Sequence, residues 1–294
     1  VTVLKNYPID TLRKYINWTE FFLAWEIKGR YPAIFDHPRK GIEAKKLFDD
    51  ANKLLDLITN EKLISANGVF GLFPANSVDD DIEIYDDKGD IIGKFYTLRQ
   101  QFLKDKSPNL ALADYIAPKT SGRQDYIGAF AVTAGIGVEK LSNNFKANND
   151  DYSSIMLKIL ADRLAEAFAE QLHQQIRINY WGYEKNENLS QNDLLKEKYS
   201  GIRPAPGYPS QPDHTEKIEI FKLLDVQRHT GIYLTETLMM NPAASVCGLI
   251  FAYKKSTYFP LGKISEEQVF DYAQRKGLSA KEIEKWLSQN LSYK

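Results

Sequence analysis

Residues 69–98 read Val69-Phe70-Gly71-Leu72-Phe73-Pro74-Ala75-Asn76-Ser77-Val78-Asp79-Asp80-Asp81-Ile82-Glu83-Ile84-Tyr85-Asp86-Asp87-Lys88-Gly89-Asp90-Ile91-Ile92-Gly93-Lys94-Phe95-Tyr96-Thr97-Leu98. The first five form an unbroken apolar run, as in a strand buried on both faces. Asp81 to Tyr85 alternates polar and apolar, which gives a half-buried strand. Asp86 to Asp90 supplies turn residues, and Ile91 to Leu98 resumes as strand, so this stretch predicts a β-hairpin.

Helical signals lie to either side of it. Asp10 is placed to cap a short helix over Thr11 to Ile16. Gly41 to Asn60 predicts an amphipathic helix, because Leu47, Phe48, Ala51, Leu54, Leu55 and Ile58 recur at three and four. Asp125 to Thr133 predicts a further strand ending at Ala134-Gly135. Tyr152 to Arg177 predicts the longest helix, with Ile155, Met156, Ile159, Leu160, Leu164, Phe168 and Leu172 as its core face. A shorter helix follows, then a proline-rich loop over Arg203 to Pro212. Thr215 is placed to cap a helix running to Leu224, and strands are predicted at Ile232 to Leu238 and Ser245 to Tyr253. Ser265 with Gln268 and Ser279 with Glu282 have capping-box spacing, and Gly277 stops the helix between them. Hairpin strands with helices grouped elsewhere predict an α+β domain. It would be a single large domain over residues 1–294, with a mostly antiparallel, twisted sheet flanked by helices.

Composition narrows the partners. The 294 residues carry a net charge of −1 with dispersed basic residues, which argues against nucleic acid or an anionic membrane surface. Cys247 is the single cysteine, so neither an intrachain disulfide nor a cysteine-type zinc site is available. Its apolar surroundings predict a buried, inert thiol, and a reducing cytoplasm is the expected compartment. No signal-peptide pattern and no apolar stretch of membrane-spanning length is visible. The abrupt start at Val1-Thr2-Val3-Leu4 raises the expectation of a piece of something longer.

Common catalytic motifs are absent. There is no Gly-x-Gly-x-x-Gly after a strand, no phosphate-binding Gly-x4-Gly-Lys-Ser/Thr loop and no Gly-x-Ser-x-Gly elbow. His37, His173, His214 and His229 are scattered without the spacing of a zinc helix, so no metal site and no catalytic residue is assigned. Asp36-His37-Pro38-Arg39-Lys40-Gly41 approaches the Asp-x-His-x-x-Gly motif of base-off cobalamin domains. Its histidine is adjacent to the aspartate, so the chain is not expected to carry cobalamin.

The segment Arg203-Pro204-Ala205-Pro206-Gly207-Tyr208-Pro209, within Gly201 to Thr215, resembles a signature of the activation domain of cobalamin-dependent methionine synthase. Five further stretches resemble that family in the same order. They are Asn17 to Phe22, Gly71 to Asn76, Asp125 to Phe130, Ala161 to Phe168 and Tyr180 to Tyr183. Together they span essentially the whole chain.

The resemblance implies an S-adenosylmethionine-binding domain within a methyltransferase that moves a methyl group from methyltetrahydrofolate through cobalamin to homocysteine. The domain would reactivate cob(II)alamin held by a neighbouring cobalamin-binding domain, with one electron from a flavodoxin-type flavoprotein and a methyl from S-adenosylmethionine. Site residues implied in this way are Asn17, Glu166, Arg203, Ala205, Gly207, Tyr208, Tyr258 and Phe259. Arg203 offers a planar fork of donors to the ligand carboxylate. The backbone of Ala205 and Gly207 approaches the ligand, and Tyr258-Phe259, on a later strand, provides an aromatic face for adenine or sulfonium. Asn17 stands where the family has an aspartate facing the ligand's amino group, which predicts weaker binding. Two other readings stay open. One is a non-catalytic docking module for a corrinoid domain and its electron donor. The other is a stand-alone S-adenosylmethionine methyltransferase, which lacks the usual glycine-rich loop.

Overall fold

The computed structural model describes residues 1–103 and 107–293. In chain order it holds β1 (Thr2–Tyr7), α1 (Ile9–Arg13), α2 (Trp18–Ala24), α3 (Gly41–Asn60), β2 (Ser65–Val78), β3 (Asp81–Tyr85), β4 (Ile91–Tyr96), β5 (Asp125–Ile136), α4 (Val138–Ala147) and α5 (Asp151–Gln175). These are followed by α6 (Gln191–Leu195), α7 (Glu216–Leu224), α8 (Val226–Thr230), β6 (Tyr233–Leu234), β7 (Met240–Asn241), β8 (Ser245–Ile250), α9 (Glu266–Lys276) and α10 (Ala280–Trp286).

The main sheet runs β4-β3-β2-β5-β8, and β1 also pairs with β2. All the strand pairs are antiparallel, as an α+β chain built from hairpins requires. Alternation along β5 splits its side chains between two cores. Phe130, Val132 and Ala134 join one core with α1 to α3 and α5, while Ile127, Ala129 and Ala131 join another with α7 and α8. Helices therefore cover both faces. A third cluster ties α9 and α10 to Leu98, Leu261 and Ile264.

The height of α5 on the sheet is set by glycine. A Cβ at Gly68 would lie 3.0 Å from Phe168 Cζ and 3.1 Å from Val132 Cγ1, so its absence makes room for the Phe168 ring. That ring is fully buried and stacks on Tyr7 with centroids 4.7 Å apart. Truncating Phe168 to alanine would cost about 3–5 kcal/mol. The turns beyond it, Ala167 to His173, are buried on all sides, polar Glu170, Gln171 and His173 included.

Several sequence expectations are corrected. Ile155 is half exposed, because the buried stripe of α5 runs through Met156, Leu157, Leu160, Ala161 and Leu164. The helix ends at Gln175 in a π-turn over Ile176–Tyr180. Ile232 to Leu238 is a tight hairpin and not one strand: Thr235 N–H donates to Met239 O at 2.9 Å, Leu238 N–H donates to Thr235 O at 2.9 Å, and Leu238 has φ 58°. The first short helix starts at Ile9 behind Pro8, before the predicted Asp10 cap. Ser279 and Glu282 form the capping box; Ser265 Oγ likewise accepts the Gln268 N–H at 3.3 Å, but the Gln268 side chain donates to Arg99 O at 3.0 Å and leaves that box half made. Thr215 makes no side-chain cap; its N–H donates to Asp213 Oδ1 at 2.8 Å. Cys247 is buried in β8, and burial pushes its thiol up to about 12.

Candidate functional site

The proline-rich loop leaves the sheet edge in a fixed way. Ile202 N–H donates to Phe251 O at 3.1 Å, Phe251 N–H donates back to Ile202 O at 2.9 Å, and Leu249 N–H donates to Pro204 O at 3.0 Å. Residues 202–204 thus run alongside β8. Gly248 permits this approach, since a Cβ there would meet Pro204 O at 2.8 Å. Beyond the edge the loop closes on itself: Tyr208 N–H donates to Ala205 O, Gln211 N–H to Tyr208 O, and Gly207 N–H to Gln211 O at 2.7 Å. Gly207 has φ 97°, a left-handed conformation that glycine takes without strain.

A second segment faces the loop. Ser210 Oγ donates to Phe259 O at 2.6 Å, and Arg203 N–H donates to the Tyr258 hydroxyl at 3.0 Å. Tyr258 and Phe259 lie in an extended connection between β8 and α9, not on a strand, so the expected strand placement is corrected. The Phe259 ring is buried against Tyr115, while Tyr258 stays partly exposed.

Between loop, connection and α5 lies a groove of about 480 Å³. Of the residues singled out from sequence, Glu166, Arg203, Ala205, Tyr208, Tyr258 and Phe259 line it together. Phe130, Val246, Pro209 and Pro260 extend its apolar wall, and Glu197 adds a second carboxylate to Glu166. Glu166 and Glu197 have no ion-pair partner among the described residues. Burial raises the Tyr208 phenol above its ordinary pKa, and the nearby Glu166 carboxylate adds to the effect.

Asn17 and Gly207 are not among the lining residues. Asn17 caps α2: its Oδ1 accepts Thr19 N–H at 3.1 Å and Glu20 N–H at 3.3 Å. Both lone pairs of that oxygen are therefore engaged in capping. Gly207 shapes the loop from behind, and its own N–H is spent on Gln211.

Arg203 is held from the side away from the groove. Its Nη2 donates to Glu170 Oε2 at 2.7 Å; its Nη1 donates to the Tyr199 hydroxyl at 2.8 Å and lies 3.2 Å from His173 Nδ1. Burial opposes the charge, and the Glu170 carboxylate, with Tyr199 and Tyr258, more than offsets it; the guanidinium stays firmly protonated. Nε and one Nη2 proton have no acceptor among the described residues, so one edge of the fork remains for a ligand carboxylate. Ala205 N–H is likewise uncommitted. Sequence reasoning missed Glu170, Tyr199 and Glu197; the one signal for Glu170 was a charge inside an otherwise buried helical run.

A larger cavity, about 780 Å³, lies around Gly135 and the start of α4, but no aromatic side chain lines it. Among the described residues no cluster of three or more His, Cys, Asp or Glu side chains is placed to hold a metal, and no helix is long and apolar enough to cross a membrane. His37 Nδ1 accepts Arg39 and Lys40 N–H at 3.2 Å each, a role in the turn before α3.

An aromatic wall, an arginine edge and two carboxylates without ion-pair partners among the described residues thus line one concave groove, the form of a small-ligand site. The chain belongs to the activation-domain family of vitamin B12-dependent methionine synthase, whose model matches residues 8–277. It is also similar to the crystal structure of the MetH reactivation domain bound to AdoHcy. The two share 52% identity and a TM-score of 0.98, over 100% of this chain and 90% of that one.

Proposed function

We propose that this chain binds S-adenosylmethionine in the groove between Arg203 and Tyr258 and presents its methyl group to a cobalamin held by another domain of the enzyme. The observation that carries this reading is the half-engaged Arg203 guanidinium beside an aromatic wall. The ligand is a zwitterionic amino acid joined through a sulfonium to adenosine, and each part has a match. Arg203 Nε and Nη2, with the Ala205 N–H, suit its carboxylate. Glu166 and Glu197 place negative charge where the ammonium and sulfonium need it. Tyr258, Phe259 and Phe130 offer apolar and π surface to the nucleoside.

A cobalamin presented by the other domain, reduced by one electron from a flavodoxin-type donor, would supply the methyl acceptor, and S-adenosylhomocysteine would be left in the groove beside Arg203, Tyr258 and Phe259. The chain's own residues bind, orient and fix the donor. The prolines at 204, 206 and 209 stiffen the loop, so less entropy is lost on binding. The reaction completes the repair cycle of 5-methyltetrahydrofolate–homocysteine methyltransferase, a cytoplasmic activity, and docking to the corrinoid domain is transient because that cofactor also serves other substrates.

Isothermal titration with S-adenosylmethionine tests this. Saturable binding to the wild type, weakened at least about 30-fold in Arg203→Ala, supports it. Absence of binding to the wild type, with docking to a corrinoid domain intact, favours a docking module instead.

A further inference from the structure

The groove arginine is contacted by a layer of side chains, Glu170, His173 and Tyr199, that does not line the groove. Tyr199 is buried and is not part of the groove lining. Its own position is fixed from three sides. The Arg177 guanidinium carbon lies 4.2 Å from its ring centroid, the His173 ring meets it edge-on at 5.1 Å, and Arg203 lies at 5.6 Å. Arg177 is in turn fully buried and paired with Glu187, whose Oε2 is 2.5 Å from Nε. A side chain packed so tightly places its hydroxyl at one point, 2.8 Å from Arg203 Nη1.

Proton bookkeeping shows that this layer has one direction. A guanidinium only donates, so His173 Nδ1 accepts from Arg203 and the histidine proton sits on Nε2. Burial and the neighbouring Arg203 and Arg177 push the His173 pKa well below its ordinary value, so the ring is neutral, as this requires. Nε2 then donates to the Tyr183 hydroxyl at 3.3 Å, which donates to Ser200 O at 3.4 Å. Tyr199 and His173 consume both Nη1 protons and Glu170 one on Nη2. Only the Nε edge of Arg203 is left outward.

We infer that Tyr199 is a positioning residue: it presets Arg203 so that a single edge of the guanidinium meets the amino-acid tail of the ligand. This rests on the binding site proposed above. Preorganisation lowers the cost of binding because Arg203 does not have to be ordered by the ligand.

The test is titration of the whole chain, wild type and Tyr199→Phe, with S-adenosylhomocysteine and with 5′-methylthioadenosine, which lacks the amino-acid tail. Phenylalanine keeps the buried ring and removes only the hydroxyl. The expected result is about five- to tenfold weaker binding of S-adenosylhomocysteine, with 5′-methylthioadenosine changed by less than about twofold. Equal weakening of both ligands, or no weakening of either, overturns the inference. A double-mutant cycle guards against a general fold defect: in an Arg203→Ala background, Tyr199→Phe should leave S-adenosylhomocysteine binding unchanged, and a further loss there also overturns it. Failure of the wild type to bind S-adenosylhomocysteine would instead remove the underlying site.

Discussion

The Arg203 N–H donates to the Tyr258 hydroxyl at 3.0 Å, which ties the loop to the segment facing it across the groove. Tyr258 therefore has two separable duties: its hydroxyl holds the loop, and its ring forms wall. Tyr258→Phe should cost about 0.5–1.5 kcal/mol of stability and change ligand affinity by less than about threefold. Tyr258→Ala, which removes the wall, should weaken S-adenosylmethionine binding about tenfold or more. Denaturant melts and calorimetry separate the two; equal affinity losses in both variants would contradict this division.

Asn17 spends its single acceptor oxygen on the first turn of α2, and what remains of its amide is a donor, which repels an ammonium group. An aspartate has a second oxygen and a charge. Asn17→Asp should keep the cap and tighten S-adenosylmethionine binding by about 1 kcal/mol. Asn17→Ala should lower the unfolding free energy by about 1 kcal/mol. An unchanged dissociation constant in Asn17→Asp would show that the position has only its capping role.

Gly207 holds the loop closed with φ 97°, and a Cβ there would lie 2.4 Å from His214 Cε1. Gly207→Ala should therefore displace both the loop and the histidine. A stability loss of about 1–3 kcal/mol is expected, together with weaker ligand binding, although residue 207 does not itself line the groove. Wild-type affinity in this variant would show that loop closure is unimportant to the site.

Behind the loop, Lys276 Nζ meets Asp213 Oδ2 at 2.8 Å and Glu216 Oε1 at 2.5 Å, all three buried. Two carboxylates share one cation. Asp213, desolvated but held by Lys276 and the Thr215 N–H, stays below its ordinary pKa, whereas burial pushes Glu216 up to about 7. Folded Glu216 thus keeps a proton that the unfolded chain has released. Its contribution to stability is full below the ordinary glutamate pKa and is lost as pH rises through about 7. Asp213 acts oppositely, losing its contribution as pH falls through its depressed pKa. Thermal melts of Glu216→Gln should gain on the wild type between about pH 5 and pH 8, by roughly 1–3 kcal/mol. Parallel profiles would contradict the assignment. Lys276→Met, which strands both carboxylates, should cost about 3–5 kcal/mol.

Periodicity made α3 legible from Gly41 to Asn60 and β3 from Asp81 to Tyr85, because one face of each is apolar throughout. It did not reveal β1, whose Lys5 and Asn6 break the pattern and whose place is set by pairing with β2. It overran at Ile232 to Leu238, where the polar Thr235-Glu236-Thr237 form a turn between apolar residues, closed by Thr235. At the site, the loop was readable because Arg203 to Pro209 resembles the family's signature; its prolines and arginine alone fit a stiff surface turn as well. The layer behind it was not, since Glu170 comes to Arg203 from α5 only through the fold, and Tyr199, four residues before Arg203, turns its hydroxyl back to it only as the segment after α6 is packed. The capping role of Asn17 was missed: the resemblance implied only a ligand contact there, and the cap shows in its bonds to Thr19 and Glu20.

The most direct test is a crystal structure of this chain with S-adenosylhomocysteine. The ligand carboxylate should lie within hydrogen-bonding distance of Arg203 Nε and Nη2, with Nη1 still on Tyr199 and the adenosine along Tyr258 and Phe259. A ligand seated outside this groove, or one whose tail avoids Arg203, would contradict this placement.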